Sequence, residues 1–207
     1  MSRPPPPAGG SLGTYSGPLP IRWYRCHPAQ YSASSFNPSP SGNARFSPLR
    51  DGVGNVVPTL YLAASMKAAL MEAALRDVPS PSGGYVVSKS DLWGRGLVVT
   101  EVEITNARFA DLTSIGLRRL GVNDVTTCEV ADYPDTRAWA TWFYGSAPTM
   151  DGLVWMSRQL NTELVCVLFG GRDVAVTPTG PPRRLSDPSV WSEVVDLLTQ
   201  LDVSLVP

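Results

Sequence analysis

Histidine occurs once in this chain, and its three cysteines, Cys26, Cys128 and Cys166, are widely spaced with no CxxC pair. An odd, scattered set argues against a secreted disulfide framework and against a structural zinc site, and it suits a reducing cytoplasm. His27 alone cannot supply the ligands of a transition-metal centre, so no metal is expected. Basic runs are missing too. Beyond the pairs Arg118-Arg119 and Arg183-Arg184 no Lys/Arg cluster occurs, and the net charge is −1. The basic stripe that sequence-independent nucleic-acid binding needs is therefore absent. No window approaches the roughly eighteen apolar residues of a membrane span. The amino terminus, MSRPPPPAGG, lacks the apolar stretch of a signal peptide, so the expectation is a cytoplasmic protein. No GxGxxG opens a helix after a strand and no GxxxxGK[ST] occurs, which excludes Rossmann and P-loop nucleotide sites. Neither a GxSxG nor a Cys/His spacing supports nucleophilic catalysis.

What is present is apolar and aromatic. Hydrophobic residues make up 43% and aromatics 9% of the 207 residues, enough to bury one core despite 20 prolines. Residues 1–20, rich in Pro, Gly and Ser, cannot bury enough side chain to offset ordering entropy and read as a flexible leader. Residues 21–207 read as one domain closed by a helix over 187–203. Within it, strands are expected at Ile21–Tyr24, Thr59–Ala63, Leu97–Thr105, Gly152–Met156 and Glu163–Phe169, with a polar loop from Ser32 to Gly42. Ser65 caps a helix Met66–Arg76 made of strong helix formers. Shorter helices are expected at Ala110–Leu120 and Pro134–Tyr144. Asp187-Pro188 starts the last helix, whose Val190, Trp191, Val194, Leu197, Leu198 and Leu201 form an apolar stripe.

The chemistry-bearing residues form an ordered series. Trp23-Tyr24-Arg25-Cys26-His27 is followed by Asn43-Ala44-Arg45-Phe46-Ser47-Pro48, then Leu60-Tyr61-Leu62-Ala63, then Ala69-Leu70-Met71-Glu72, and far downstream Asp151-Gly152-Leu153-Val154-Trp155-Met156-Ser157-Arg158. This order, over roughly residues 21–170, resembles the RES-domain family, the toxin component of RES–Xre toxin–antitoxin systems. Many members carry Gly-Gly-Arg-Trp-Asn around the second arginine, where this chain has Asn43-Ala44-Arg45-Phe46-Ser47. Some have tyrosine directly after the first arginine, where this chain has Cys26. The resemblance leaves open whether Tyr24, His27 or Phe46 adds a ring against the substrate.

The resemblance implies an α/β fold, a mixed split sheet with peripheral helices like that of the ADP-ribosyltransferase toxins. It also implies an enzyme that cleaves the nicotinamide–ribosyl bond of NAD⁺ by hydrolysis or phosphorolysis, with NAD⁺ as substrate and no cofactor. Transfer of ADP-ribose to a protein is the alternative, and a non-catalytic interaction module with the same fold is a third reading. The implied partner is an Xre/MbcA/ParS-like antitoxin, held in a hetero-oligomer. Guanidinium groups bind phosphate oxygens bidentately, which makes Arg25 and Arg45 the candidates for the pyrophosphate. A carboxylate can stabilise the oxocarbenium-like ribose, which makes Glu72 the catalytic candidate, with Arg25 beside it. Tyr61 against the nicotinamide and Ser157 on the ribose or carboxamide are carried over from the family.

Each candidate has a plainer rival. Glu72 and Arg76, four apart on a helix, could form an ordinary surface ion pair. Tyr61 could be core and Ser157 a strand-end serine. Glu101-Val102-Glu103 matches the Glu-x-Glu of arginine-directed ADP-ribosyltransferases but lacks their Ser-Thr-Ser strand, and is expected to be a solvated strand face. Trp139, Trp142, Phe143 and Tyr144 are expected to pack a helix on the core.

Overall fold

Two strands apolar on both faces, β4 (Thr59–Ala63) and β9 (Leu164–Phe169), pair antiparallel with Leu60 opposite Leu168 and Tyr61 opposite Val167. Successive side chains of a strand point to opposite faces. Leu60, Leu62, Cys166 and Leu168 therefore enter one core layer, while Ala63, Val165, Val167 and Phe169 enter another on the far side. The computed structural model describes residues 12–78, 85–122, 124–125 and 133–207.

The remaining strands are β1 (Trp23–Pro28), β2 (Leu49–Arg50), β3 (Val56–Val57), β5 (Val86–Ser88), β6 (Leu97–Thr105), β7 (Phe109–Asp111), β8 (Gly152–Met156), β10 (Ala175–Pro178), β11 (Arg183–Arg184) and β12 (Ser204–Val206). The helices are α1 (Met66–Ala73), α2 (Lys89–Gly94), α3 (Ser114–Arg119), α4 (Tyr133–Ser146) and α5 (Pro188–Gln200). The main sheet runs β10-β6-β1-β4-β9-β8-β7, with β11 joined to β6. It is mixed, because β7 and β8 are parallel and the other pairs antiparallel. The mixed α/β architecture with peripheral helices is the one expected from the sequence. Among the described residues no helix is long and apolar enough to cross a membrane.

Helix α1 begins where Ser65 accepts the Ala68 N–H at 3.2 Å, and it buries Ala68, Ala69, Leu70 and Met71. Its far end is closed by another element: Arg95, just past α2, donates to the Ala74 and Ala73 carbonyls at 2.6 and 3.1 Å. A cation there satisfies the helix's last carbonyls and complements the negative end of its dipole. Helix α5 starts at the Asp187 cap with Pro188 in the first turn and buries Val190, Val194, Leu197 and Leu198. At about 1.5–3 kcal/mol per buried side chain, that stripe holds α5 in place. Lys67 joins α1 to α5 through Glu193 and Asp196.

Several sequence expectations shift. The first strand starts at Trp23 rather than Ile21 and pairs with β6 over six residues, leaving Ile21 83% exposed. Helix α1 ends at Ala73, short of Arg76. In place of a helix from Ala110, residues Phe109–Asp111 form a buried strand against β8, and α3 starts at Ser114. Tertiary pairing outweighs local propensity there. Within the leader, Thr14 forms an antiparallel bridge with Ala110, and Tyr15 and Gly13 exchange backbone bonds with Phe109 and Asp111. Residues 13–15 thus cover the outer edge of β7 and belong to the sheet, whereas residues 1–11 lie outside the described residues.

His27 is 4% exposed and faces the core side of β1 away from α1. Its Nδ1 donates to the Pro28 carbonyl at 3.1 Å, so in the neutral ring Nε2 accepts from the Thr100 hydroxyl at 3.0 Å. Burial, reinforced by the nearby Arg25 cation, lowers its pKa. The unfolded chain takes up this proton near pH 6.5 and the folded one only below that. The stability His27 confers is therefore complete above pH 6.5 and is lost as pH falls through the folded value. Urea unfolding from pH 7.5 to 5.5 is expected to show falling stability, and His27→Gln is expected to flatten that slope; equal slopes would show that other groups set it.

Candidate functional site

A cavity of about 680 Å³ opens between α1 and the sheet face that carries Tyr24, Tyr61 and Trp155. That volume is in the range of small-molecule and cofactor sites. Strand alternation decides which predicted residues reach it. On β1, Tyr24 and Cys26 line the cavity, so Arg25 and His27 point the other way. Arg25 donates to the carbonyls of Ser32 and Ala33 at 3.0 and 2.8 Å and holds that loop to the back of the sheet. Burial lowers its pKa and leaves it cationic at neutral pH. The assignment of Arg25 to catalysis and pyrophosphate binding, and of His27 to the substrate, is thus corrected: two residues that alternate with Tyr24 cannot share its face.

Glu72 and Arg45 do reach the cavity. Glu72 lies one residue before the end of α1 and accepts the Ser157 hydroxyl at 2.6 Å, the length of a charge-assisted O–H···O⁻ bond. Arg76 turns to Asp77 at 3.1 Å, so the four-apart ion pair with Glu72 is not what these residues make. Ser157 is 1% exposed. Its oxygen accepts the N–H groups of Gln159 and Leu160 at 3.2 and 3.0 Å while its proton goes to Glu72. With donor and acceptors committed, Ser157 stands behind the carboxylate and does not line the cavity, which corrects its placement on ribose or carboxamide.

Arg45 is 8% exposed, and its Nε is buried without a hydrogen-bond partner. Trp155 Nε1 and Arg172 Nε are buried without a partner as well, so what marks Arg45 is that a cation with an unpaired nitrogen lines the cavity. The residue next to it goes elsewhere. Phe46 is fully buried and edge-on to Trp155 with centroids 5.0 Å apart, a core plug rather than a ring offered to substrate. Tyr61 lines the cavity, but its hydroxyl is used: it accepts the Phe46 N–H at 3.0 Å and shares a bond with Ser47 Oγ at 3.3 Å. Burial pushes the Tyr61 phenol up to about 12, so it stays protonated. Tyr24 donates to Glu101 at 3.1 Å. Glu101 also accepts Thr179 at 2.9 Å and pairs with Arg22 at 3.0 Å. The Thr179 bond foremost lowers the Glu101 pKa, so this residue anchors Tyr24 rather than forming a merely solvated strand face. Trp139 and Phe143 pack into the core as expected.

Sequence reasoning missed Arg95 and Arg158, both in the cavity wall. Arg158 follows Ser157 directly and was legible as the next residue of the same motif; Arg95, beyond α2, had no local signal. Among the described residues no cluster of His, Cys, Asp and Glu could hold a metal ion. Cys26 borders the cavity, but burial pushes its thiol up to about 12, which makes it a poor nucleophile.

Comparison with known proteins adds three findings. The family model described as the RES domain matches residues 22–187. A chain in the crystal structure of the M. tuberculosis MbcT–MbcA toxin–antitoxin complex is similar in fold, with a TM-score of 0.57 at 16% identity, covering 88% of this chain and 89% of that one. No curated protein sequence matches. For the Ser157–Glu72 bond, the expected outcome of Ser157→Ala is a Glu72 side chain released from its position in a crystal structure of the variant. Ser157→Thr should keep it. An unmoved carboxylate in the alanine variant would show that helix packing alone sets its rotamer.

Proposed function

Because this chain belongs to the RES-domain family, we propose that it is a toxin that destroys NAD⁺ by breaking the bond between nicotinamide and ribose. The observation that carries this reading is the placement of a fixed carboxylate, Glu72, and a buried cation with an unpartnered nitrogen, Arg45, in one cavity. A dinucleotide needs both. Its pyrophosphate is the acceptor that Arg45 lacks, and Arg158 adds positive charge to the same wall. The rings of Tyr24 and Tyr61 give the cavity an apolar side against which nicotinamide can lie.

When the N-glycosidic bond breaks, its electron pair leaves with nicotinamide, which becomes neutral, and the positive charge passes to the ribose C1′ and ring oxygen. Glu72 faces that charge. Its Oε1 is held by Ser157, so Oε2 is the oxygen offered to the sugar. At ~4 Å and an effective dielectric of ~20 the attraction is about 4 kcal/mol, or roughly a thousandfold in rate. Water then adds to C1′ and loses its proton to solvent, or inorganic phosphate adds in its place. The cavity's cations also suit a phosphate acceptor. The similar fold of a chain from a toxin–antitoxin complex supports a protein partner that restrains this activity inside the producing cell.

Purified protein free of any partner should release nicotinamide from NAD⁺, with the phosphate dependence of the sugar product identifying the acceptor. Glu72→Gln should lower kcat roughly a thousandfold with little change in KM. Arg45→Ala should raise KM about 10- to 100-fold, the loss of a charge-assisted bond worth about 1.5–3 kcal/mol. Chromatography of the products measures each. Absence of nicotinamide with and without phosphate would overturn the proposal, and a discrete labelled protein band in lysate would redirect it to protein ADP-ribosylation.

A further inference from the structure

We propose that Arg137 of α4 is a positioning residue that latches the loop carrying Arg45, an inference that rests on the pyrophosphate role given to Arg45 above. Residues 43–48 belong to no named strand or helix. The loop is narrow: Ala44 and Ser47 exchange backbone bonds at 3.1 and 3.4 Å, so Arg45 and Phe46 stand at its tip. Arg137 closes the base from outside. Its Nε donates to the Ala44 and Ser47 carbonyls at 3.2 and 3.1 Å, and its Nη2 donates to Asn43 Oδ1 at 2.7 Å. One planar guanidinium therefore joins both flanks of the loop to one helix, a geometry that lysine cannot copy. The neighbouring Thr136 hydroxyl donates to the Arg45 carbonyl, and the Tyr61 hydroxyl takes the Phe46 N–H.

Among the described residues the Arg45 side chain makes no hydrogen bond to protein, and its Nε is buried without a partner. Among the described residues no hydrogen bond at the guanidinium end fixes its direction. Its position is set from the backbone, by Phe46 inserted in the core on one side and by α4 on the other. A ligand meeting a cation so held avoids the ordering cost that an untethered arginine would add to binding. Removing the latch should thus weaken binding of the phosphate-bearing part of the substrate while leaving bond cleavage at Glu72 largely intact. Arg137 does not border the cavity, so this effect has to pass through Arg45.

The test is a double-mutant cycle read by calorimetric titration with ADP-ribose, which carries the pyrophosphate and lacks the scissile bond. Arg137→Ala is expected to weaken ADP-ribose binding about tenfold and to raise KM for NAD⁺ by a similar factor, with kcat within about threefold of wild type. Arg45→Ala combined with Arg137→Ala should bind no more weakly than Arg45→Ala alone. Arg137→Lys, which keeps the charge and loses the fork, should resemble the alanine variant and serves as the readout if alanine impairs folding. Additive losses in the cycle, or a fall in kcat at unchanged KM, would overturn the latch while leaving the proposed reaction standing. Tight ADP-ribose binding without nicotinamide release from NAD⁺ would overturn the reaction while leaving the latch to be judged by the cycle. No ADP-ribose binding by the wild-type chain would overturn both.

Discussion

The hydrogen bond from Ser157 to Glu72 ties the end of helix α1 to the end of strand β8, and the cavity occupies the space beside that tie. A carboxylate near the negative end of a helix is badly placed on its own. Three features offset this. Ser157, polarised by two backbone N–H groups, supplies a strong donor; Arg95 binds the carbonyls of Ala73 and Ala74; and the cavity wall holds further guanidinium groups. The result is a negative charge fixed in orientation beside several guanidinium groups, which is the preorganisation that the proposed reaction would draw on.

The chain divides its labour between residues that face the cavity and residues that hold them. Glu72, Arg45, Tyr24 and Tyr61 form its wall, and each is restrained by a group set further back: Ser157 for Glu72, Glu101 for Tyr24, and the 43–48 loop with α4 for Arg45 and Tyr61. Side chains held by packing and outer hydrogen bonds keep the close placement that a catalytic role of the kind proposed would require. The RES-domain match over residues 22–187 spans the holders as well as the wall.

Much of this was legible in the residues themselves. Four interior strands declared themselves by short apolar or alternating runs, and Ser65 and Asp187 declared the starts of α1 and α5 by cap chemistry, because those signals are local. Glu72 could be placed on the first helix for the same reason. What could not be read was which side of β1 would meet α1. Tyr24 and Arg25 are adjacent, so one of them had to face away, and the choice depends on packing by elements distant in sequence. Ser157 was recognised, but not that its hydroxyl was already fully used, since the two N–H groups that bind it come from a turn with no marked sequence signature. Arg137 was invisible for a related reason: its partners are backbone carbonyls, which any sequence supplies.

The pairing of residues 13–15 with β7 makes these residues part of the folded body. A proline-rich stretch looks dispensable, and an engineer trimming it for expression would cut near residue 20. That cut would uncover the edge strand β7 of the eight-stranded sheet and leave the Phe109 carbonyl and the Asp111 N–H facing water, ready to pair with a neighbouring molecule. Shortened versions of this protein would therefore be prone to self-association, and turbidity in such preparations would reflect an unprotected sheet margin rather than misfolding around the cavity.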